Sequence, residues 1–287
     1  EKRMPTRWDL DEAARDVPVL LVRVCGHVAV ANSKALELLG LGPDSPDPPG
    51  GALGREDGRL NGLLYEAAVE LALRRALTLS GESIVSLVRE TLEEAASYGI
   101  VELHAMSASQ SEVEAYTLLR GAALPRVYFY AESPDVRGPN VVGIKVFMDG
   151  SLGARTASLR EPYADSDTRG LLLMTSSELE RISEAARRRG LQVAVHAIGD
   201  AAVEEVLKTR ARNVRIEHAS LTPPDVVEVL AESHLPVSVQ PHFIESDFWV
   251  VDRLGRERSR WVYAYRTMLR AGVELVGSSD APVEPLS

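Results

Sequence analysis

A (β/α) barrel of parallel strands is the fold class this sequence predicts, and three observations point to it. From about Ile100 onward, short β-rich runs alternate with stretches of helical periodicity, the pattern of parallel strands joined by crossover helices. Four of those runs end on side chains able to hold a metal or carry a proton: Lys145 in GIKVFMDGS, His196 in LQVAVHAIGD, His218 in VRIEHAS and Asp280 in VELVGSSDAP. Their separations of 51, 22 and 62 residues leave room for a helix each time. A barrel unites such groups because its parallel strands all end at one mouth. Finally, 287 residues with 45% hydrophobic and 26% charged side chains suit one barrel-sized domain with a substantial core.

The elements follow in chain order. The first 80 or so residues fit the alternation least: only PVLLVRV reads as a strand, GPDSPDPPGGALG reads as a Pro/Gly-rich loop, and the region is read as an insertion over residues 1–80. Barrel elements occupy residues 81–287. Ile84, Leu87, Val88, Leu92 and Ala95 recur at helical spacing and Gly99 stops the run, so this helix turns its apolar stripe to the barrel. Seven strands follow as IVELHAM, RVYFYAE, GIKVFM, LQVAVHA, VRIEHA, PVSVQPH and VELVGSS. Between them, Ser177 with Glu180 reads as a capping box and Gly190 as the stop of the same helix. Asp200 reads as the cap of AAVEEVL, and Thr222 with Pro223 as the opening of PPDVVEVLAES.

Composition excludes several function classes. A net charge of -10 without a local basic stripe opposes attraction to nucleic acid. The single cysteine, Cys25, rules out an internal disulfide and multi-cysteine metal sites, and fits a cytoplasmic location. The longest apolar stretch, VPVLLVRVCGHVAVA, is broken by Arg23 and His27 and falls short of the roughly 20 residues of a membrane span. A small-molecule substrate is the expected partner, with no membrane and no nucleic acid, and a homo-oligomer is compatible with the sequence.

The order Lys, His, His, Asp resembles the amidohydrolase superfamily, in which strands four, five, six and eight carry the metal site. The words IKVFMDGSLGARTASL, VAVHAIGDAAVEEVL, RIEHASL, VSVQPHF and GSSDAPVEP are similar to the amidohydrolase-3 group that includes N-substituted formamide deformylase, as is RVCGHVAVANSKALELLG at residues 23–40. The resemblance implies a (β/α)8 TIM-barrel-type metal-dependent hydrolase. One family word is missing. The first barrel strand ends in His-x-His, and no two of His27, His104, His196, His218, His234 and His242 are so spaced. With seven strands and Lys145 on strand four, the chain is expected to be an internal fragment lacking strand one and the flanking β-sandwich domain. Residues 1–80 would then lie between strands one and two, over the barrel mouth.

The chemistry follows from the side chains. A divalent ion held by protein ligands, with a position left for water, lowers that water's pKa toward about 7. His196 and His218 offer nitrogen ligands, and Asp280 can touch the metal and shuttle a proton as general base, then general acid. One or two ions are expected, zinc first because nitrogen and oxygen donors with no redox task suit it. Lys145 has no lone pair until it loses a proton; the resemblance implies that it is carboxylated and bridges two metals. His27, Asn32, Glu66, Arg155 and His242 are candidate substrate contacts. Asn32 can equally cap the KALELLG helix, and Glu66, Arg155 and His242 can equally serve in ion pairs or at the surface.

Asp149 and Gly150 read as shaping the turn after strand four. His104 ends strand two, facing either mouth or core, and His234 reads as structural. DGSLG lacks the spacing and the Lys-Ser/Thr ending of a phosphate loop. The resulting expectation is hydrolysis of a non-peptide carbon-nitrogen bond in an amide, formamide or cyclic amide, with the isolated fragment inactive. The alternatives are a barrel metallohydrolase of esters, lactones or phosphoesters, and a metal-free ligand-binding or interaction domain.

Overall fold

A computed structural model describes residues 3–24, 26–80 and 83–286 of the chain, so Cys25 lies outside the described residues. The chain divides into two compact units, Glu1–Glu82 and Ser83–Ser287.

The first unit holds four antiparallel strands, β1 (Leu20–Val22), β2 (Val28–Ala31), β3 (Gly51–Glu56) and β4 (Arg59–Glu66), in the order β1-β2-β4-β3. The sequence predicts only the first of these. The other three are rich in Ala, Gly and polar residues, which carry weak β-propensity, and the expected loop GPDSPDPPGGALG ends inside β3. One signal was nevertheless present in the sequence. Asp57-Gly58 joins β3 to β4 with both residues at positive φ, 49° and 74°, as a two-residue hairpin turn requires. Buried Ala29, Ala31, Leu36, Leu53, Leu60 and Leu64 pack with Val69 and Ala72 of the helix Ala67–Ser80 to form this unit's core.

The second unit is built on seven parallel strands that neighbour one another in sequence order: β5 (Glu102–Ala108), β6 (Arg126–Ala131), β7 (Val141–Phe147), β8 (Gln192–Ala197), β9 (Val214–His218), β10 (Val237–Val239) and β11 (Leu275–Gly277). All seven expected runs are strands. Alternation sorts their side chains to two faces. Ile144, Val146, Val193, Val195, Val214, Ile216, Val237 and Val239 face the crossover helices, meeting Leu179, Val203, Val206, Val226, Leu230 and Met268 in the main core. The opposite face carries polar groups, among them His104, Tyr130, Lys145, Gln192, His196, Arg215 and Glu217.

That polar face is concave. β5 and β9 are four strand spacings apart, roughly 19 Å in a flat sheet. Yet Arg215 Nη1 lies 3.4 Å from His104 Nδ1, and its guanidinium stacks 4.6 Å from the Tyr130 ring centroid while donating to Tyr130 Oη at 3.2 Å. The sheet is therefore curled as part of a barrel, with β5 and β11 as its two edges among the described residues.

Three helix starts differ from expectation. The helix Ser176–Arg187 is capped by Thr175, whose hydroxyl accepts from Glu178 N at 3.3 Å while the Glu178 carboxylate accepts from Thr175 N at 2.9 Å. The expected partner Glu180 instead accepts from Arg210 N. Several cap-competent residues in a row, TSSE, leave the register to tertiary contacts. Gly199, not Asp200, occupies the cap of Asp200–Leu207, and the Asp200 carboxylate accepts from Arg160 N. Pro223 caps Pro224–Ser233, one residue later than read. Among the described residues no helix is long and apolar enough to cross a membrane.

Candidate metal centre

Parallel register sets Lys145 beside Ala194, His196 beside Glu217 and Ala197 beside His218. Lys145, His196 and His218 thus sit near the C-terminal ends of three adjacent strands, while Asp280 lies just beyond β11. His196 and His218 are 3% and 6% exposed, and their ring centroids are 4.6 Å apart. The Phe147 ring packs against both His196, at 5.2 Å, and the Lys145 ammonium, at 4.9 Å.

Each imidazole is oriented by an oxygen. His196 Nε2 lies 3.0 Å from Gly150 O, which can only accept, so Nε2 carries the proton and Nδ1 the lone pair. His218 is held the other way round: its Nδ1 lies 2.8 Å from Gln240 Oε1, which assigns the lone pair to Nε2. Such outer partners fix tautomer and ring direction in metal sites.

Asp149 stabilises the first of these contacts. Fully buried, it accepts from the backbone N–H groups of Ser158, Ile198 and Gly199 at 2.8, 3.0 and 2.8 Å, and its Oδ1 lies 3.7 Å from His196 Nε2. It thereby ties the loop after β7 to the turn after β8. Strain accumulates at the same end of the sheet. His218, Ala219 and Asp280 all have positive φ, at 75°, 46° and 58°, conformations costly for these residues and common at functional sites.

Burial pushes the Lys145 amine down to about 8, with Arg215 adding to the effect, while the carboxylates of Glu217 and Asp280 pull the other way. Glu217 itself accepts from Arg215 Nε at 2.6 Å. A lysine so placed yields its proton far more readily than one in water, which is the condition for it to act as a nucleophile or ligand.

The donor types suit a divalent ion: two imidazoles, one carboxylate and a lysine whose pKa burial lowers. Among the described residues, however, no three His, Cys, Asp or Glu side chains gather as a ready-made cage. His196, His218 and Asp280 are therefore not drawn into one three-ligand cluster, and Lys145 as an ammonium is no ligand.

The expected substrate contacts fall in both units. In the first unit, His27 Nδ1 pairs with Glu66 Oε2 at 2.7 Å, and Glu66 has φ of 51°. Asn32, fully buried, caps the helix Ser33–Leu38. Its Oδ1 accepts from Ala35 N and Val19 N, and its Nδ2 donates to Ala14 O and Val17 O, which commits both amide N–H groups and both carbonyl lone pairs. The capping alternative describes what this side chain does in the structure. In the second unit Arg155 forms a two-pronged ion pair with Asp165 at 3.0 and 2.8 Å, and His242 is exposed at the start of the helix Phe243–Ser246.

Sequence reasoning passed over Gln240, Arg215 and Glu217. The signal was a polar side chain at the concave-facing positions of an apolar strand, in VSVQ and VRIEH, where burial makes polarity informative.

A sequence model of the amidohydrolase family, Amidohydro_3, matches residues 1–287. The chain belongs to the amidohydrolase family. Among relatives, the Bacillus subtilis (strain 168) protein YtcJ, itself assigned as an amidohydrolase, is 34% identical over 312 residues, covering 98% of this chain and 58% of YtcJ. N-substituted formamide deformylase of Arthrobacter pascens is 24% identical over 320 residues, covering 98% of this chain and 59% of that protein. An uncharacterized metal-dependent hydrolase from Pyrococcus furiosus is 37% identical and superimposes with a TM-score of 0.73, covering 99% of this chain and 62% of that one. This amidohydrolase chain thus spans about three fifths of the length of each of these relatives.

Proposed function

We propose that this amidohydrolase cleaves a non-peptide carbon-nitrogen bond in a small amide, formamide or cyclic amide. The observation that carries the reading is the buried pair His196 and His218, 4.6 Å apart and oriented through opposite ring nitrogens by Gly150 O and Gln240 Oε1, near a lysine lowered to about 8. The name of the formamide deformylase supports the choice of bond.

His196, His218, Asp280 and Lys145 would hold one or two divalent ions, with Lys145 contributing as its carboxylated form. When bound, zinc would supply a polarised carbonyl and a water acidic near neutral pH. Asp280 accepts the proton of the attacking water and returns it to the leaving nitrogen. Phe147, 37% exposed, gives the substrate an apolar wall against His196. His27, Glu66, Arg155 and His242 remain candidates for binding the rest of the substrate, and the N-terminal unit is read as an insertion into the barrel order. The protein is further proposed to act in the cytoplasm, with homo-oligomerisation open.

The test is turnover by the full-length protein, stripped of metal and reloaded with zinc, on matched amides, formamides, lactams, esters and lactones. Faster zinc-dependent turnover of the nitrogen compounds is expected. Turnover confined to esters or lactones, or indifferent to metal, overturns the reading.

A further inference from the structure

Gln240 is 2% exposed, and its amide spans three strands. Oε1 meets His218 Nδ1 at 2.8 Å, whereas Nε2 donates to Ser278 Oγ at 2.9 Å and to Ser238 O at 3.4 Å. The orientation of the amide is decided by chemistry. Ser238 O is a backbone carbonyl and only accepts, so the NH2 group must face it and the amide oxygen must face His218. Ser278 is fixed in turn, lying 3.1 Å from Ser238 Oγ and donating its backbone N–H to Val239 O at 2.9 Å. It stands two residues before Asp280.

From this geometry we infer that Gln240 is a positioning residue for the amidohydrolase centre. It holds His218 in the tautomer protonated at Nδ1, fixes the direction of the ring, and links that ring through Ser278 to the strand leading to Asp280. A neutral amide is suited to the task because it accepts from the ring without attracting a second proton onto it, as a carboxylate at the same place does. His218 already bears a strained backbone with φ of 75°, so the ring needs a second point of attachment to keep one direction.

The inference rests on the metal reading above for its consequence but not for its geometry, and two measurements separate them. In metal-free full-length protein labelled with 15N-histidine, His218 is expected to show a single Nδ1–H tautomer. In Gln240→Leu, one atom shorter and without an acceptor, that signature is expected to give way to a mixture or to the Nε2–H form. Zinc affinity, from competition with a chromophoric chelator, should then fall by about 10- to 100-fold, the usual effect of losing such an outer partner. Gln240→Glu restores an acceptor and should return a proton to Nδ1, now with a second proton drawn onto Nε2.

Unchanged His218 nitrogen shifts in Gln240→Leu overturn the inference. If that variant does not fold, Gln240→Asn takes its place, keeping the amide but ending one methylene short of the ring, and unchanged shifts there overturn it equally. A wild-type protein that takes up no zinc defeats the metal reading alone and leaves the tautomer assignment to stand or fall on the spectra.

Discussion

His196 and His218 stand with ring centroids 4.6 Å apart but donate through different nitrogens, Nε2 to the Gly150 carbonyl in one and Nδ1 to the Gln240 amide in the other. The difference follows from strand geometry. His196 lies within β8, where its ring can reach across to the loop after β7. His218 closes β9 with a left-handed backbone and turns toward β10. Two histidines on neighbouring strands can thereby address one point between them.

Asp149 is expected to be indispensable to that arrangement. Asp149→Ala strips the partner from three buried N–H groups, and each unmet buried donor costs about 1–3 kcal/mol. The full-length protein should lose roughly 3 kcal/mol or more in urea denaturation and should bind zinc more weakly, because the loop that presents Gly150 to His196 is no longer tied down. A variant within about 0.5 kcal/mol of wild type would show that the cradle is dispensable.

Lys145 gives a pH dependence whose sign can be worked out. Its folded pKa of about 8 lies below the ordinary lysine value of 10.5, so between those values the unfolded chain binds more protons and stability rises with pH. Below about 8 the buried ammonium costs the fold on the order of 3 kcal/mol; above 10.5 that cost is gone. Metal-free wild type should become more stable from pH 8 to 9.5 relative to Lys145→Met, which lacks the group. Parallel stability curves for the two proteins would remove Lys145 as the cause. The comparison stops at 9.5 because burial raises the phenol pKa values of Tyr263 and Tyr265 well above 10, and they oppose the trend at higher pH.

Gly62 on β4 tests the first unit by itself. Its φ is 90°, and a Cβ there would stand 2.4 Å from Ala31 O on the neighbouring strand. Gly62→Ala combines left-handed strain with overpacking and should cost about 2–4 kcal/mol. Hydrogen exchange in β2 and β4 reads the effect, and protection equal to wild type in those strands would contradict it.

What the sequence disclosed and what it concealed have physical causes. Most of the parallel strands were legible because they are short apolar runs closed by a Gly, Asp or Pro turn, as in GIKVFMDG and VSVQP. Four ligand-type residues stood out because each breaks such a run at its end. The N-terminal sheet was concealed because β2 is VAVA and β3 is GALGRE, stretches whose small side chains say little until a partner strand covers them. Helix starts slipped by one or two residues where TSSE and TPP offered several capping groups in a row. The outer partners of the histidines were harder to read: Gln240 shows in the sequence only as a polar residue closing VSVQ, and its role, like that of Gly150, lies in hydrogen bonds that depend on strand register and loop path.

Asp280→Asn is the sharpest probe of the proposed chemistry. An amide matches the carboxylate in shape, so fold and strand geometry should persist, but it accepts no proton from water and has none to hand to a leaving nitrogen. General acid-base groups of this kind typically contribute about 10²- to 10⁴-fold in rate, and turnover of the best amide substrate should fall within that range. Zinc content must be measured in both proteins, because Asp280 is also a proposed ligand and an ion lost with it would imitate lost proton transfer. If zinc is retained, the pH profile of kcat/KM should lose the limb belonging to the general base. Asp280→Asn protein that holds zinc and turns over at the wild-type rate would remove Asp280 from proton transfer and leave it, at most, a ligand.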